Sequence, residues 1–236
     1  MPGRSTRSLD SMSMFQALEE KGYVVASPVL GPSEVASIEL ALSKVPASNA
    51  GTRNLLGLEW CQSLVARLRT APSLREVLPA SSVAVQCTLF DKTPDRNWLV
   101  ALHQDLSIPV SARVAHPKLG VWSVKEGQTF VQPPDDLLAQ LIAVRLHVDE
   151  CGPENGPLRV VPGSHREGRL ATSAARLLRD RVGEVACTVG RGGALILKPL
   201  LLHASSKASS PSHRRVLHFL FGPASIGYGL RWQHAV

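Results

Sequence analysis

Aromatic residues are scarce in this chain: Phe, Tyr and Trp together make up 5% of 236 residues. Single-stranded nucleic acid is usually held on aromatic stacking platforms set along a basic groove. That scarcity argues against a nucleic-acid partner, although the net charge is +7, from 26 Lys and Arg against 19 Asp and Glu. Runs of basic residues are also missing. None is longer than Arg214-Arg215, so no polybasic tract is available to track a phosphate backbone or a membrane surface. The basic excess points instead to an anionic small substrate or an ordinary solvated surface. Cysteines are few and far apart (Cys61, Cys87, Cys151, Cys187). The lack of any C-x-x-C pair argues against a zinc knuckle or a redox motif, and reduced thiols in a cytoplasmic protein are the expectation. No apolar run reaches the length of a membrane-spanning helix. The Ser-rich, basic start lacks the apolar core of a signal peptide. Internal repeats and linkers are likewise missing.

The hydrophobic share, 44%, is enough for one sizeable core. Residues 1–13 read as a disordered tail, and 14–236 as a single domain. Its front, about 14–80, patterns as a helical layer. Residues 14–21 form a short helix stopped by Gly22, and 23–25 a brief strand. Residues 30–45 form an amphipathic helix started by Pro32 with Val35, Ile38 and Leu42 on one face, and 58–78 a helix broken at Pro72. From Ser82 the texture changes. Stretches 83–90, 100–109, 141–149, 158–162, 185–189, 194–197 and 215–221 read as short strands punctuated by Gly, Pro, Asn and Asp. Many short strands with turn signals predict a sandwich or barrel, and a jelly roll manages sheet edges in a chain of this length. The fold class is therefore mostly β with flanking helices. Residues 169–181 read as a helical insert, and 112–131 as a long connection of the kind that forms a lid.

Within this frame His103-Gln104-Asp105 ends an apolar stretch. Residues two apart on a strand share a face, so the triplet presents an imidazole and a carboxylate side by side. A further imidazole, His203, completes a 2-His-1-carboxylate set, the arrangement of non-heme Fe(II) oxygenases. Each element has a decoy. His147-Val148-Asp149 is a second His-x-Asp triplet, and His165 is followed by Arg176 at the spacing that separates His203 from Arg214. Arg176 lies in a helical run, whereas Arg214 opens a strand. In a hairpin that strand would return past His203, so His203 and Arg214 are preferred. A guanidinium fork matches a carboxylate with parallel hydrogen bonds. Arg214, or alternatively its neighbour Arg215, suits the far carboxylate of a bidentate co-substrate, 2-oxoglutarate. Alternation along a strand allows only one of the two arginines to point inward.

Three segments, Leu102-His103-Gln104-Asp105, the block from Asn155-Gly156-Pro157-Leu158 to Pro162-Gly163-Ser164-His165, and His203 with Arg214, together resemble the phytanoyl-CoA dioxygenase family. Gly22-Tyr23-Val24-Val25 is similar to that family's opening, and the resemblance runs from about Met14 to Phe221. It implies a double-stranded β-helix (a cupin-like jelly roll) that binds Fe(II) and 2-oxoglutarate and uses O2. His103, Asp105 and His203 would be the metal ligands and catalytic centre, with Arg214 the salt-bridge partner of 2-oxoglutarate. Ser205 would add a hydroxyl contact to the same carboxylate, and Gln86 a polar contact. His165 would be structural. Some members carry tryptophan where this chain has Arg145. Arg145 either faces co-substrate or substrate, or pairs with Asp149 along the strand. Trp122, His116 and Arg113 on the long connection are candidate lid residues. With Asp105 present, an oxygenated product is expected rather than a halogenated one. The implied activity is hydroxylation of a small molecule with release of succinate and CO2. A non-catalytic metal-binding jelly roll and a metal-dependent isomerase are the alternatives. Substrate identity and oligomeric state are not legible in the sequence.

Overall fold

The computed structural model describes residues 12–46, 51–209 and 213–236. The tail expected at 1–13 lies outside them save for its end. There Ser13 is no tail residue but the cap of the first helix, α1 (Met14–Lys21), in a reciprocal capping box with Gln16. Gly22 closes α1 in the left-handed region, where a Cβ would collide with His165 and Leu201. The chain then forms β1 (Tyr23–Ala26), α2 (Pro32–Leu42), α3 (Glu59–Thr70) and α4 (Pro72–Arg75). Pro32 sits at the first turn of α2, and the Glu34 carboxylate accepts from the Gly31 N–H at 2.8 Å. Val35, Ile38 and Leu42 are its buried stripe, as are Cys61, Leu64, Val65 and Leu68 on α3.

Strands follow: β2 (Ser82–Lys92), β3 (Val100–His103), β4 (Ile108–Val110), β5 (Gly120–Lys125) and β6 (Gln128–Gln132), then a short α5 (Asp135–Leu138). After it come β7 (Ile142–His147), β8 (Leu158–Val160), α6 (Thr172–Val182), β9 (Val185–Cys187), β10 (Ala194–Leu197), β11 (His203–Ser205) and β12 (Arg214–Pro223). They assemble into a five-stranded sheet ordered β1-β10-β7-β12-β2, a four-stranded sheet ordered β3-β11-β8-β9, and a three-stranded sheet ordered β4-β6-β5. All pairings are antiparallel. This is the jelly roll expected from the strand pattern.

The five-stranded sheet is covered on both faces, so β7 is buried at every position. Its outer face gives Cys87, Leu89, Val144, Leu146, Leu217 and Phe219 to a core shared with the helical layer. Its inner face gives Val85, Ala143, Leu195 and Leu220 to a second core shared with Leu158 and Val160 of the four-stranded sheet. Further along β7 and β12, two residues at a time, the same inner positions become Arg145, His218 and Arg214; on β2 a register shift at Val85 brings Gln86, Thr88 and Phe90 to that face, and all of these line a cavity of about 410 Å3. The period of two thus carries the strands from core to site.

Three expectations change. The 100–109 stretch is interrupted, with β3 ending at His103 and β4 starting at Ile108. Residues 112–131 are no simple loop, because most of them build the β5–β6 hairpin. Its turn places Glu126 and Gly127 both at positive φ, as a type I′ hairpin turn requires. Finally, β11 and β12 do not form a hairpin. They belong to different sheets, and Arg214 faces the His203 region across the sandwich rather than along a ladder.

Candidate active site

The end of β3 pairs with the start of β11, and His103 and His203 are direct Cα partners. Opposed residues on an antiparallel ladder share a face, so the two rings stand together, their centroids 4.2 Å apart. Asp105, two residues past His103, joins them. Its carboxylate oxygens lie 3.7 Å from His103 Nε2 and 3.7 Å from His203 Nε2. One ligand atom from each of the three lies within 4.8 Å of the others, the sole such group among the described residues. The intervening Gln104 points the other way and is fixed. Its amide donates to Gly168 O at 2.8 Å and Leu200 O at 2.7 Å, while its oxygen accepts from Leu170 N–H at 2.9 Å. With the Asp105 N–H donating to Pro199 O at 2.9 Å, the backbone between the two potential ligands is locked.

Both imidazoles are oriented alike. His103 Nδ1 lies 2.8 Å from Ala101 O and His203 Nδ1 lies 2.9 Å from Leu201 O. A carbonyl only accepts, so each Nδ1 carries the proton and each Nε2 offers a lone pair to the centre, the second-sphere arrangement of metal-bound histidine. Burial holds His203 down at about 4, neutral at physiological pH. Burial also works against the charged form of His103, but the Asp105 carboxylate outweighs it and raises that ring above its ordinary value. Asp105 itself is pulled well below the carboxylate range: burial opposes ionisation, and the facing His203 and His103 more than compensate. Two neutral-capable nitrogens and one ionised oxygen, all three on the cavity wall, suit a divalent first-row ion.

The cavity's far end is lined by a buried cation. Arg214 is 4% exposed; its Nη1 donates to Gly156 O at 2.5 Å while its buried Nε has no partner. An orphaned buried guanidinium nitrogen is rare in a finished structure and marks a place for an acceptor. The Ser205 hydroxyl donates to the same Gly156 carbonyl at 3.0 Å. Gly156 sits at φ 62, and a Cβ there would strike the Ser206 carbonyl; only glycine offers this carbonyl to both side chains. Arg215 points outward to Asp149, 2.8 Å from Nε to Oδ2, and to Glu39 at 2.6 Å.

Sequence reasoning missed Lys92. It is the Cα partner of Arg214 across β2–β12 and 1% exposed. Its ammonium donates to Ser205 Oγ at 3.2 Å and Ser206 O at 2.6 Å, and lies over Trp98. Burial, then the neighbouring Arg214 charge, brings it down to about 8. A lysine ending a strand reads as an exposed edge charge, and only the two-residue register from Gln86 through Thr88 and Phe90 could have aimed it inward. His218 was also missed, because alternation on β12 from Arg214 had not been followed to it.

Gln86 lines the cavity and donates to Thr88 Oγ1 at 3.1 Å. The Arg145–Asp149 pair does not form. Arg145 faces the cavity and donates to His218 Nδ1 at 3.0 Å. Asp149 lies past the end of β7, where alternation has stopped, and is taken by Arg215. That also removes the second His-x-Asp triplet as a metal site. Trp122 is placed away from the cavity wall. It sits at a register shift in the β5–β6 hairpin, beneath Arg113, and packs into the inter-sheet core without lining the cavity. His165 is structural: its Nε2 meets Glu19 O at 3.1 Å, and its ring abuts Gly22.

Three solved structures share this fold. EctD from S. alaskensis is 20% identical, with a TM-score of 0.65 over 88% of this chain and 75% of its own. The alpha ketoglutarate dependent epimerase SnoN from nogalamycin biosynthesis is 16% identical, with a TM-score of 0.64 over 89% and 81%. HygX from Streptomyces hygroscopicus, solved with nickel and 2-oxoglutarate bound, is 18% identical, with a TM-score of 0.60 over 87% and 84%. No curated protein matches the chain. The family description phytanoyl-CoA dioxygenase (PhyH) matches residues 18–216, most of the chain and with it His103, Asp105, His203 and Arg214, and the protein therefore belongs to the phytanoyl-CoA dioxygenase family.

Proposed function

We propose that the protein is an Fe(II)- and 2-oxoglutarate-dependent dioxygenase that hydroxylates a small molecule, releasing succinate and CO2. The observation that carries this reading is the convergence of His103 Nε2, His203 Nε2 and the Asp105 carboxylate, with both Nδ1 atoms already spent on backbone carbonyls. In this reading the three side chains would hold the iron. Arg214, with its unpartnered Nε, grips the far carboxylate of 2-oxoglutarate. When bound, iron and 2-oxoglutarate together supply the activation of O2 that oxidises the substrate. The protein's part is orientation: Gln104 fixes the backbone between two ligands, Gly156 and Ser205 hold Arg214, and Lys92 holds Ser205. The four unpaired, buried thiols support a reducing compartment, the cytoplasm.

SnoN is described as an epimerase, so epimerisation on the same cofactor pair is the rival outcome for the substrate. The first test is turnover of 2-oxoglutarate by purified protein supplied with Fe(II) and O2, read as succinate. His103→Ala and His203→Ala are expected to abolish it. Undiminished succinate in either variant would remove the metal assignment. An isomerase that consumes no O2 would instead leave dissolved oxygen unchanged.

A further inference from the structure

We infer that the primary substrate carries an oxyanion, a carboxylate or a phosphate, which Arg145 binds from the five-stranded sheet with Lys125 assisting at the cavity mouth. This rests on the reading of the site given above and names the substrate class for it.

Arg145 occupies the middle of β7, 8% exposed. Its neighbours Val144 and Leu146 face the helical layer, so its own side chain is directed into the cavity. The guanidinium lies over the Phe90 ring at 5.2 Å and donates from Nη1 to His218 Nδ1. Burial first, then Arg145 itself, holds His218 down at about 3, so the imidazole is a neutral acceptor and offers no counter-charge. The one acid that sequence proximity would offer, Asp149, is taken by Arg215. Among the described residues no carboxylate forms an ion pair with Arg145; the Asp105 charge reaches it only from a distance, and the guanidinium lines the cavity. A buried cation left in that state is costly. The geometry suits an anion arriving from the cavity, where a guanidinium fork would take two oxygens at once.

The charge of the whole cavity argues the same way. Its wall carries Arg53, Lys125, Arg145 and Arg214 against a single acid, Asp105. Arg53 is neutralised by Glu126 at 2.9 Å, and buried Lys92 adds a further positive charge just behind. A divalent ion and a dianionic co-substrate cancel each other, so loading the site does not reduce the excess. If Arg214 takes the far carboxylate of the co-substrate, Arg145 is the guanidinium left over. Lys125, exposed on the hairpin with its ammonium 4.9 Å from the Phe130 ring, gives an incoming anion a cationic entrance.

The test loads the protein with Mn(II) and 2-oxoglutarate, so that Arg214 is occupied. It then titrates inorganic phosphate, followed by 31P line broadening, and separately acetate, followed by 1H line broadening. Saturable broadening of at least one probe is expected. Phosphate alone would indicate a phosphoryl substrate, and acetate alone a carboxylate. Arg145→Gln should weaken that binding at least tenfold while leaving Mn(II) and 2-oxoglutarate affinities unchanged, and Arg145→Lys should restore part of it. Lys125→Gln, an exposed change that spares the fold, should weaken it a few-fold. If Arg145→Gln does not fold, Arg145→Lys and Lys125→Gln carry the test. The inference is overturned if neither probe binds saturably, if the variants bind as the wild type does, or if Arg145→Gln loses 2-oxoglutarate instead. That last result would make Arg145 a co-substrate anchor. Failure of Mn(II) and 2-oxoglutarate to bind the wild type is a different result: it rejects the oxygenase reading itself, and the inference with it.

Discussion

Adjacent arginines on β12 have opposite work. Arg214 is buried with an unpartnered Nε, whereas Arg215 is bound to Asp149 and Glu39. Charge-assisted hydrogen bonds contribute about 1.5–3 kcal/mol each. Arg214→Ala is therefore expected to raise the 2-oxoglutarate concentration needed for half-maximal succinate formation by about 10–100-fold. Arg215→Ala should leave that concentration unchanged and instead lower unfolding stability by about 1–3 kcal/mol in urea titrations, because Asp149 loses its partner. The opposite pattern would mean that the inward arginine has been misassigned. Lys92 carries a pH signature. Its ammonium is held at about 8 in the fold against 10.5 when free. Below pH 8 both states are charged and the burial cost is fully present. Between about 8 and 10.5 the folded form binds fewer protons than the unfolded form, so stability rises with pH. Wild type should thus gain stability relative to Lys92→Met between pH 7.5 and 10, by an amount scaled at about 1.4 kcal/mol per pKa unit. A flat difference between the two would show that Lys92 is not depressed.

Between elements, the turn at Gly156 links the stretch before β8 to the ends of β11 and β12 through one carbonyl. Gly156→Ala would force a left-handed conformation and a collision with backbone. It should cost about 1–3 kcal/mol and also raise the 2-oxoglutarate requirement, since Arg214 and Ser205 lose their shared acceptor. Gly127 in the β5–β6 turn has a similar φ, 77, but open space around it. Gly127→Ala should therefore cost only the conformational penalty, about 1–2 kcal/mol, and leave co-substrate use unaltered. Comparing the two by denaturation and by kinetics separates strain from site geometry. The β5–β6 hairpin also shows where element-level reading failed. Pro117, Gly120 and Gly127 punctuate residues 112–131, so local turn signals suggested a loop. Pairing with β4, distant in sequence until the sheet forms, makes it a strand pair.

Across the whole molecule, the site is divided between two sheets. His103 and His203 stand on the four-stranded sheet and Arg214 on the five-stranded one. A ligand held from both sides ties the layers together. Mn(II) and 2-oxoglutarate together should raise Tm by more than the sum of their separate shifts, and Arg214→Ala should remove the excess while keeping the Mn(II) shift. A ligand at 100 times its Kd adds about 2.7 kcal/mol, which for a chain of this size is roughly 5–10 °C in Tm. Additive shifts in a thermal melt would argue that metal and co-substrate do not share a site.

The amino-acid sequence alone determined the strand-rich jelly roll, the helical layer in front of it and the His103/Asp105/His203 set, and it required that only one of Arg214 and Arg215 point inward. Each follows from a local rule: the period of two along a strand, the period of 3.6 along a helix, and the spacing of ligand residues. Tertiary structure decided everything that depends on which strands face one another. It put β11 and β12 in opposite sheets, turned Lys92 inward against Ser205, gave Asp149 to Arg215, and left Arg145 with a neutral histidine. Sheet order and interlayer packing are set by burial summed over the whole chain, and no local spacing records that sum.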